Sequence, residues 1–333
     1  MSNNINGNIQ DICIQKTSFK GSSSHPFHQL TPDFILNALD ELGYITDSRL
    51  LPLNSYENRV YQIGIQDSSP IIGKFYRPNR WNKKQILEEH QFCFELAEQE
   101  LPIVAPLISE GGESLFQYKG FHFALFPRKG GYGPELDNLD NLYLLGKLLG
   151  RIHAVGAIRP FSHRNTLNSN TFGYESSKFV SENFIPTELK LSYDSLVKDL
   201  MKTIDEVVSN AGDIQNIRVH GDCHSGNILW RDDNAHFVDL DDAMMAPAIQ
   251  DIWMLLSGNR DRQNAQLSEI IDGYNEFFDF HPRELKLIDA LRTLRIINYT
   301  AWIAKRWNDP AFPMAFPWFN TCLLYTSPSP RDG

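Results

Sequence analysis

His220-Gly221-Asp222-Cys223-His224-Ser225-Gly226-Asn227-Ile228-Leu229-Trp230, followed by Phe237-Val238-Asp239-Leu240-Asp241-Asp242, is the stretch around which the rest of the chain is organised. Asp222 and Asn227 stand five positions apart in a short Gly-containing loop and offer one carboxylate and one amide oxygen. The apolar run Asn227-Ile228-Leu229-Trp230 enters one strand of a hairpin. Phe237-Val238 returns and delivers Asp239 to the same end of the sheet as Asn227. Hard oxygen ligands on a hairpin suit Mg²⁺, which keeps waters and takes its remaining ligands from substrate phosphates. Asn227 and Asp239 are therefore the expected metal ligands. Asp222 is left to accept a proton from, or orient, an attacking hydroxyl. The arrangement fits phosphoryl transfer, in which positioning and charge neutralisation supply most of the catalysis.

Other chemistries fit the stretch less well. A zinc site built on His220, Cys223 and His224 needs a tetrahedral partner set that is not visible. No thiolate-lowering arrangement around Cys223 can be read from sequence. A polar hairpin with incidental acids is the plain alternative, and the Asp, Asn and Asp spacing speaks against it. Asp241 and Asp242 extend the acidic cluster, either reaching a metal through water or capping the next turn. Asp251 opens the following helix and braces the catalytic loop rather than reacting.

Upstream, Thr31-Pro32-Asp33 has the form of a helix start, with Phe34, Ile35, Ala38 and Leu42 as its face and Gly43 as its stop. Tyr61, Ile63 and Ile65 alternate with Gln62 and Gly64, which predicts a half-buried strand after a polar turn, Asn54 to Asn58. The next strand, Pro70 to Tyr76, carries Lys74 among apolar neighbours. An edge lysine snorkelling to water would explain it alone. The helix that follows offers a partner: Asn82 caps it, and Ile86, Glu89, Cys93 and Leu96 fall on one face. Glu89 points inward with that stripe, whereas Glu88 falls with Gln85, Phe92 and Glu95 on a more polar face. An inward Glu89 and a mid-strand Lys74 neutralise each other. Two more strands are expected near Glu113–Tyr118 and Phe121–Phe126. The second runs into Pro127-Arg128-Lys129-Gly130-Gly131-Tyr132-Gly133-Pro134, a connector between lobes or a surface loop of one larger domain.

From Asp137 the pattern turns helical, with Leu142, Leu145, Leu149 and Ile152 as a face ending near His153. That histidine is read as structural rather than catalytic. The segment 157–188 has no clear period. A long helix from Pro186 to about Val208 is expected to use Leu189, Leu196, Leu200 and Ile204, and two closing helices are expected over about 264–279 and 283–307.

The His220 to Asp242 pattern resembles the catalytic loop of protein kinases, and more closely that of the aminoglycoside phosphotransferase and choline kinase branch of the kinase-like fold. From about Leu30 to Asn320 the chain is similar to the bacterial stress-response serine/threonine kinases of that branch. The resemblance implies an α+β, two-lobed protein-kinase-like fold with a small antiparallel-sheet N-lobe and a mainly helical C-lobe. It implies that Lys74, held by Glu89, binds the ATP phosphates. The turn holding Ser55 takes the place of the glycine-rich nucleotide loop, although no G-x-G-x-x-G exists here and an ordinary Asx-type turn is the alternative. The connector after residue 128 takes the place of the hinge that hydrogen-bonds adenine. Asp222 and Asp239 are the implied catalytic residues, with ATP as co-substrate and Mg²⁺ as cofactor.

At 333 residues the chain has room for two lobes. The expected division is an N-terminal arm at 1–28, an ATP-covering lobe at 29–128 and a catalytic lobe at 129–321. Residues 322–333 break the helical pattern and look like translated adapter sequence, a non-native tail. A net charge of −10 disfavours a nucleic-acid partner. Four cysteines without C-x-x-C pairing suggest a reducing compartment. The N-terminus has no signal-sequence pattern and no apolar run is bilayer-length, so a cytoplasmic monomer without a membrane partner is expected. The acceptor is contested. Only a few residues separate Asp239 from Pro247, with no long activation segment, which favours a small-molecule hydroxyl. The family resemblance favours serine and threonine of a protein, and is followed here. An inactive nucleotide-binding scaffold is the third reading, opposed by the joint presence of Lys74, Asp222, Asn227 and Asp239.

Overall fold

Helix α1 (Pro32–Asp40) begins where its cap predicts, with the Phe34 N–H donating to the Thr31 hydroxyl at 3.2 Å and Pro32 in the first turn. The computed structural model describes residues 25–232 and 234–319. Residues 1–24 of the expected arm, and the whole expected tail 322–333, lie outside the described residues. Phe27, which composition assigned to the arm, is only 5% exposed and stacks on Phe121. An aromatic ring there covers one end of the sheet, so residues 25–28 belong to the small lobe rather than to an arm.

Five antiparallel strands form that lobe's sheet: β1 (Thr46–Pro52), β2 (Arg59–Ile65), β3 (Ile71–Phe75), β4 (Phe116–Tyr118) and β5 (Phe121–Pro127), in the order β1-β2-β3-β5-β4. β1 carries no period-two signal and was not anticipated; it is an edge strand with an irregular register against β2. Lys74 sits on the central strand β3, paired with Val60 on one side and Ala124 on the other. Helix α2 (Lys83–Glu98) starts with a capping box between Asn82 and Gln85. Ile86, Glu89, Cys93 and Leu96 are all buried, as their spacing predicts. Phe92, placed by pattern on the polar face, is buried too. The helix lies between the lobes: Ile86 packs with Tyr76 and Ala124 of the sheet, while Phe92, Cys93 and Leu96 join the core of the large lobe.

The large lobe holds α3 (Leu139–Gly156), α4 (Glu175–Asn183), α5 (Thr187–Ala211), α6 (Ile249–Ile252), α7 (Arg260–Tyr274), α8 (Ile288–Lys305) and α9 (Ala311–Ala315). Short strands β6 (Ile217–Val219) and β9 (Met244–Ala246) pair with each other, as do β7 (Ile228–Arg231) and β8 (Asn234–Phe237). Leu142, Leu145, Leu149 and Ile152 of α3 form the expected buried face. The segment without periodicity contains α4, a short polar helix whose sequence gives little stripe to read. In α5 the expected face is only half right. Ile204 is buried and Leu200 half-buried, but Leu189 and Leu196 are exposed.

Helices α3 and α7 cross backbone to backbone. A Cβ on Gly146 would lie 2.1 Å from the Ile270 carbonyl oxygen, and one on Gly273 would lie 2.1 Å from that of Tyr143. Side-chain rearrangement cannot relieve a clash with backbone, so Gly146→Val is expected to destabilise the large lobe by about 1–3 kcal/mol or more. A thermal melt would show it as a lowered midpoint.

The β1–β2 turn is strapped to the C-terminal helices. The Glu57 carboxylate accepts from Arg306 Nη2 at 2.9 Å and from the Trp302 indole N–H, and is paired by charge with Arg77 at 3.0 Å. Asp309 accepts from Arg59 at 2.9 Å and Arg77 at 2.7 Å. The Tyr56 ring packs against Phe312 and Phe316. Residues far apart in sequence thereby fix the turn.

Candidate active site

The catalytic loop follows β6. Gly221 adopts φ +82°, and a Cβ there would sit 2.2 Å from the Asp242 carbonyl oxygen, so glycine is required for the two acidic segments to approach. Asp251, fully buried, accepts from the His220 N–H at 2.7 Å and the Gly221 N–H at 2.8 Å. The His153 ring donates to it at 3.1 Å and in turn accepts from the Tyr274 hydroxyl at 2.9 Å. Asp251 thus braces the loop, and His153 braces Asp251. The other ring of the motif is also committed: His220 Nε2–H donates to the Val238 carbonyl at 2.9 Å, and its Nδ1 accepts from the Asp222 N–H at 3.3 Å. Burial pushes the Cys223 thiol well above its ordinary range, which leaves it un-ionised and unreactive.

The hairpin forms in the expected register, with Ile228 opposite Phe237. The Val238 N–H donates to the Asn227 carbonyl at 3.0 Å, which puts Asn227 and Asp239 at one end of it. Asn227 Nδ2 donates to the Asp222 carbonyl at 2.9 Å, so the amide oxygen is the atom left to face a ligand. Asp239 takes φ +60°, ψ +62°, a left-handed conformation that few residues other than glycine, aspartate and asparagine adopt, and its carboxylate is 51% exposed. An amide oxygen and a half-exposed carboxylate at one end of the hairpin are hard oxygen donors of the kind that Mg²⁺ would take alongside phosphate and water. Among the described residues no group of three or more His, Cys, Asp or Glu side chains is placed to hold a metal by itself.

Lys74 reaches this cluster from the small lobe. Its Nζ is 2.8 Å from Asp239, 3.1 Å from Asp241 and 3.6 Å from Glu89, and it lies 5.1 Å from the Tyr76 ring centre. Burial alone would favour the neutral amine, but the Asp239, Asp241 and Glu89 charges override it and hold Lys74 firmly protonated. Glu89, as its facing predicts, meets Lys74, although it is the most distant of the three carboxylates. Burial pushes its carboxyl up to about 7. Glu88 has a different task, accepting the Ser162, His163 and Arg164 N–H groups at 2.5, 2.8 and 2.8 Å and docking α2 onto that loop. Ser55 lies in the β1–β2 turn, where its hydroxyl accepts from the Val60 N–H at 3.1 Å. It closes the turn, and among the described residues no side chain links it directly to the Lys74 cluster.

Arg80 and Arg295 escaped the sequence reading, and Asp241, read there as an extension of the acidic cluster, has cationic partners that it did not foresee. Asp241 is a buried partner of both Lys74 and Arg80, and Arg80 also binds Asp242. Arg295, on α8, donates to Asp222 Oδ1 at 2.5 Å. Burial would raise the Asp222 carboxyl, but the Arg295 charge and the hydrogen bonds of His224 and Arg295 hold it far below the usual carboxylate range. The signal available for Arg80 was the crowded Arg77-Pro78-Asn79-Arg80 run after β3; Arg295 gave none.

Behind the clamp, His90 is bonded to the Tyr76 hydroxyl at 2.9 Å and to the Ser114 hydroxyl at 2.8 Å. Burial pushes it down to about 3, from 6.5. Below pH about 6.5 the unfolded chain takes up a proton that the folded chain refuses until about pH 3. Stability present at pH 7 is therefore lost on acidification, at up to about 1.4 kcal/mol per pH unit. His90→Gln should flatten that slope between pH 6.5 and 4.5 in chemical denaturation.

A family model described as the phosphotransferase enzyme family matches residues 49–288. The chain belongs to that family. It is 46% identical over 303 residues to Stress response kinase A of Escherichia coli (strain K12), covering 89% of this chain and 90% of that one. It is 45% identical over 293 residues to the Serine/threonine protein kinase RdoA of Salmonella typhimurium, covering 88% of each. Among solved structures it resembles the amicoumacin kinase hAmiN bound to AMP-PNP, Ca²⁺ and Ami, with a TM-score of 0.68 at 18% identity over 89% of this chain and 94% of that one. It also resembles the spectinomycin phosphotransferase complexed with ADP and spectinomycin, with a TM-score of 0.61 at 16% identity over 84% and 89%. Within the phosphotransferase family, the two-lobed α+β architecture expected from the catalytic loop is the fold observed.

Proposed function

We propose that this family member is an ATP- and Mg²⁺-dependent serine/threonine protein kinase, acting in a bacterial stress response and located in the cytoplasm. The observation that carries the reading is the convergence of Lys74 from the small lobe with Asp239, Asn227 and Asp222 of the hairpin. Among the described residues no helix is long and apolar enough to cross a membrane.

In this reading Lys74 binds phosphate oxygens of ATP beneath the turn that holds Ser55, and Glu89 with Asp241 keeps its ammonium aimed at the cleft. Asn227 and Asp239 would hold Mg²⁺, which would neutralise charge on the phosphates. Asp222 orients the acceptor hydroxyl in line with the γ-phosphorus and takes its proton as transfer proceeds. The low basicity of Asp222 suits a loose transition state, in which orientation contributes more than early proton removal.

One observation favours a small-molecule alcohol instead. After Asp239 the chain forms a single 3₁₀ turn, Leu240–Asp242, and immediately pairs as β9, leaving no extended platform for a peptide. Identity to protein-kinase relatives over nearly the whole chain outweighs it.

The metal assignment is tested by titrating a non-hydrolysable ATP analogue with and without Mg²⁺. Wild type should bind more tightly with the metal, and Asn227→Ala and Asp239→Asn should lose that increment. Equal metal dependence in all three proteins would reject these ligands.

A further inference from the structure

Arg295 is joined to the acceptor side of the site, and nothing in the transfer scheme above uses it. Leu291 and Leu294 anchor α8 in the large lobe, and the next residue carries its guanidinium to Asp222 Oδ1 at 2.5 Å, with Met254 Sδ 3.9 Å from the other nitrogen. The second carboxylate oxygen faces the His224 ring at 3.5 Å and Asn227 Nδ2 at 3.4 Å. The oxygen with the short, charge-assisted bond is thus held by a residue that must yield or share it before a hydroxyl can be oriented there.

We propose that Arg295 is the specificity-determining residue that discriminates an acceptor hydroxyl from water. It occupies Asp222 until an acceptor with its own binding energy displaces it. A hydrogen bond between charged groups is among the stronger ones in proteins. A water molecule brings no further contacts to offset its displacement, whereas a hydroxyl carried on a protein or larger alcohol brings remote ones. The reaction suppressed is hydrolysis: water oxygen bonds to the γ-phosphorus, the γ-phosphorus to bridging-oxygen bond breaks with its electron pair staying on ADP, and the water proton passes to Asp222. This rests on the assignment of Asp222 as the group that orients the attacking oxygen.

The test measures phosphate release from ATP and Mg²⁺ without acceptor, together with label transfer to a protein acceptor, in wild type, Arg295→Ala, Arg295→Lys and Asp222→Asn. Arg295→Ala should raise acceptor-independent hydrolysis on the order of 10-fold and lower the share of ATP turnover that labels the acceptor. Arg295→Lys should stay near wild type and guards against a folding defect in the alanine variant. Hydrolysis and transfer falling together in both variants, or hydrolysis unchanged in both, would overturn the proposal and make Arg295 a brace for the loop. The Asp222→Asn control separates the two failures. If it retains both reactions, the assignment of Asp222 itself fails.

Discussion

Asp222→Asn is expected to lower phosphoryl transfer about 10²–10⁴-fold while ATP still binds. The carboxylate is neither a proposed metal ligand nor a partner of Lys74; its partners include Arg295, His224 and Asn227. An amide keeps the shape and one acceptor oxygen but cannot take the proton of the attacking hydroxyl. The loss should therefore fall on kcat, with nucleotide affinity unchanged in a binding titration. A parallel loss of ATP affinity would mean that Asp222 serves the nucleotide rather than the acceptor.

Asp251→Ala should have the largest combined effect, on stability and activity together. The fully buried carboxylate satisfies two backbone N–H groups of the catalytic loop and the His153 ring. Alanine leaves all three donors unpaired in a site closed to water. Each buried donor left without a partner costs about 1–3 kcal/mol. With the brace gone, His220 and Gly221 lose the geometry that aims Asp222, so activity should fall even at temperatures where the variant stays folded. A thermal melt and a transfer assay at low temperature check the two halves separately. A variant with a near-wild-type melt would show that the loop is held by the hairpin instead.

How much of this was legible in sequence follows from the distance between partners. Asp222, Asn227 and Asp239 lie within one loop and one hairpin, so their meeting was set by short-range turn and strand geometry. Glu89 could be chosen over Glu88 because helical spacing fixes facing within one element. Arg80 with Asp241, 161 residues apart, and Arg295 with Asp222, 73 apart, depend on how separate elements dock, which no local period encodes. The strap between Glu57, Arg306 and Asp309 belongs to the same class. Composition also misjudged two places. Phe27 sits in a polar-looking segment yet covers the sheet, and Leu189 and Leu196 repeat at helical spacing yet face outward. An apolar stripe shows that a helix can bury a face, but a neighbour must be present along its whole length to cover it.

The central claim is that these residues transfer the γ-phosphate of ATP to a protein hydroxyl. The direct measurement incubates γ-labelled ATP and Mg²⁺ with wild type or Asp222→Asn. The acceptors are the protein itself, a generic basic protein, and a panel of choline, homoserine and aminoglycosides, and the labelled amino acids are identified after hydrolysis. Label on serine or threonine with wild type, and none with Asp222→Asn, is the predicted result. Label entering only a small alcohol, with none on any protein, would contradict it.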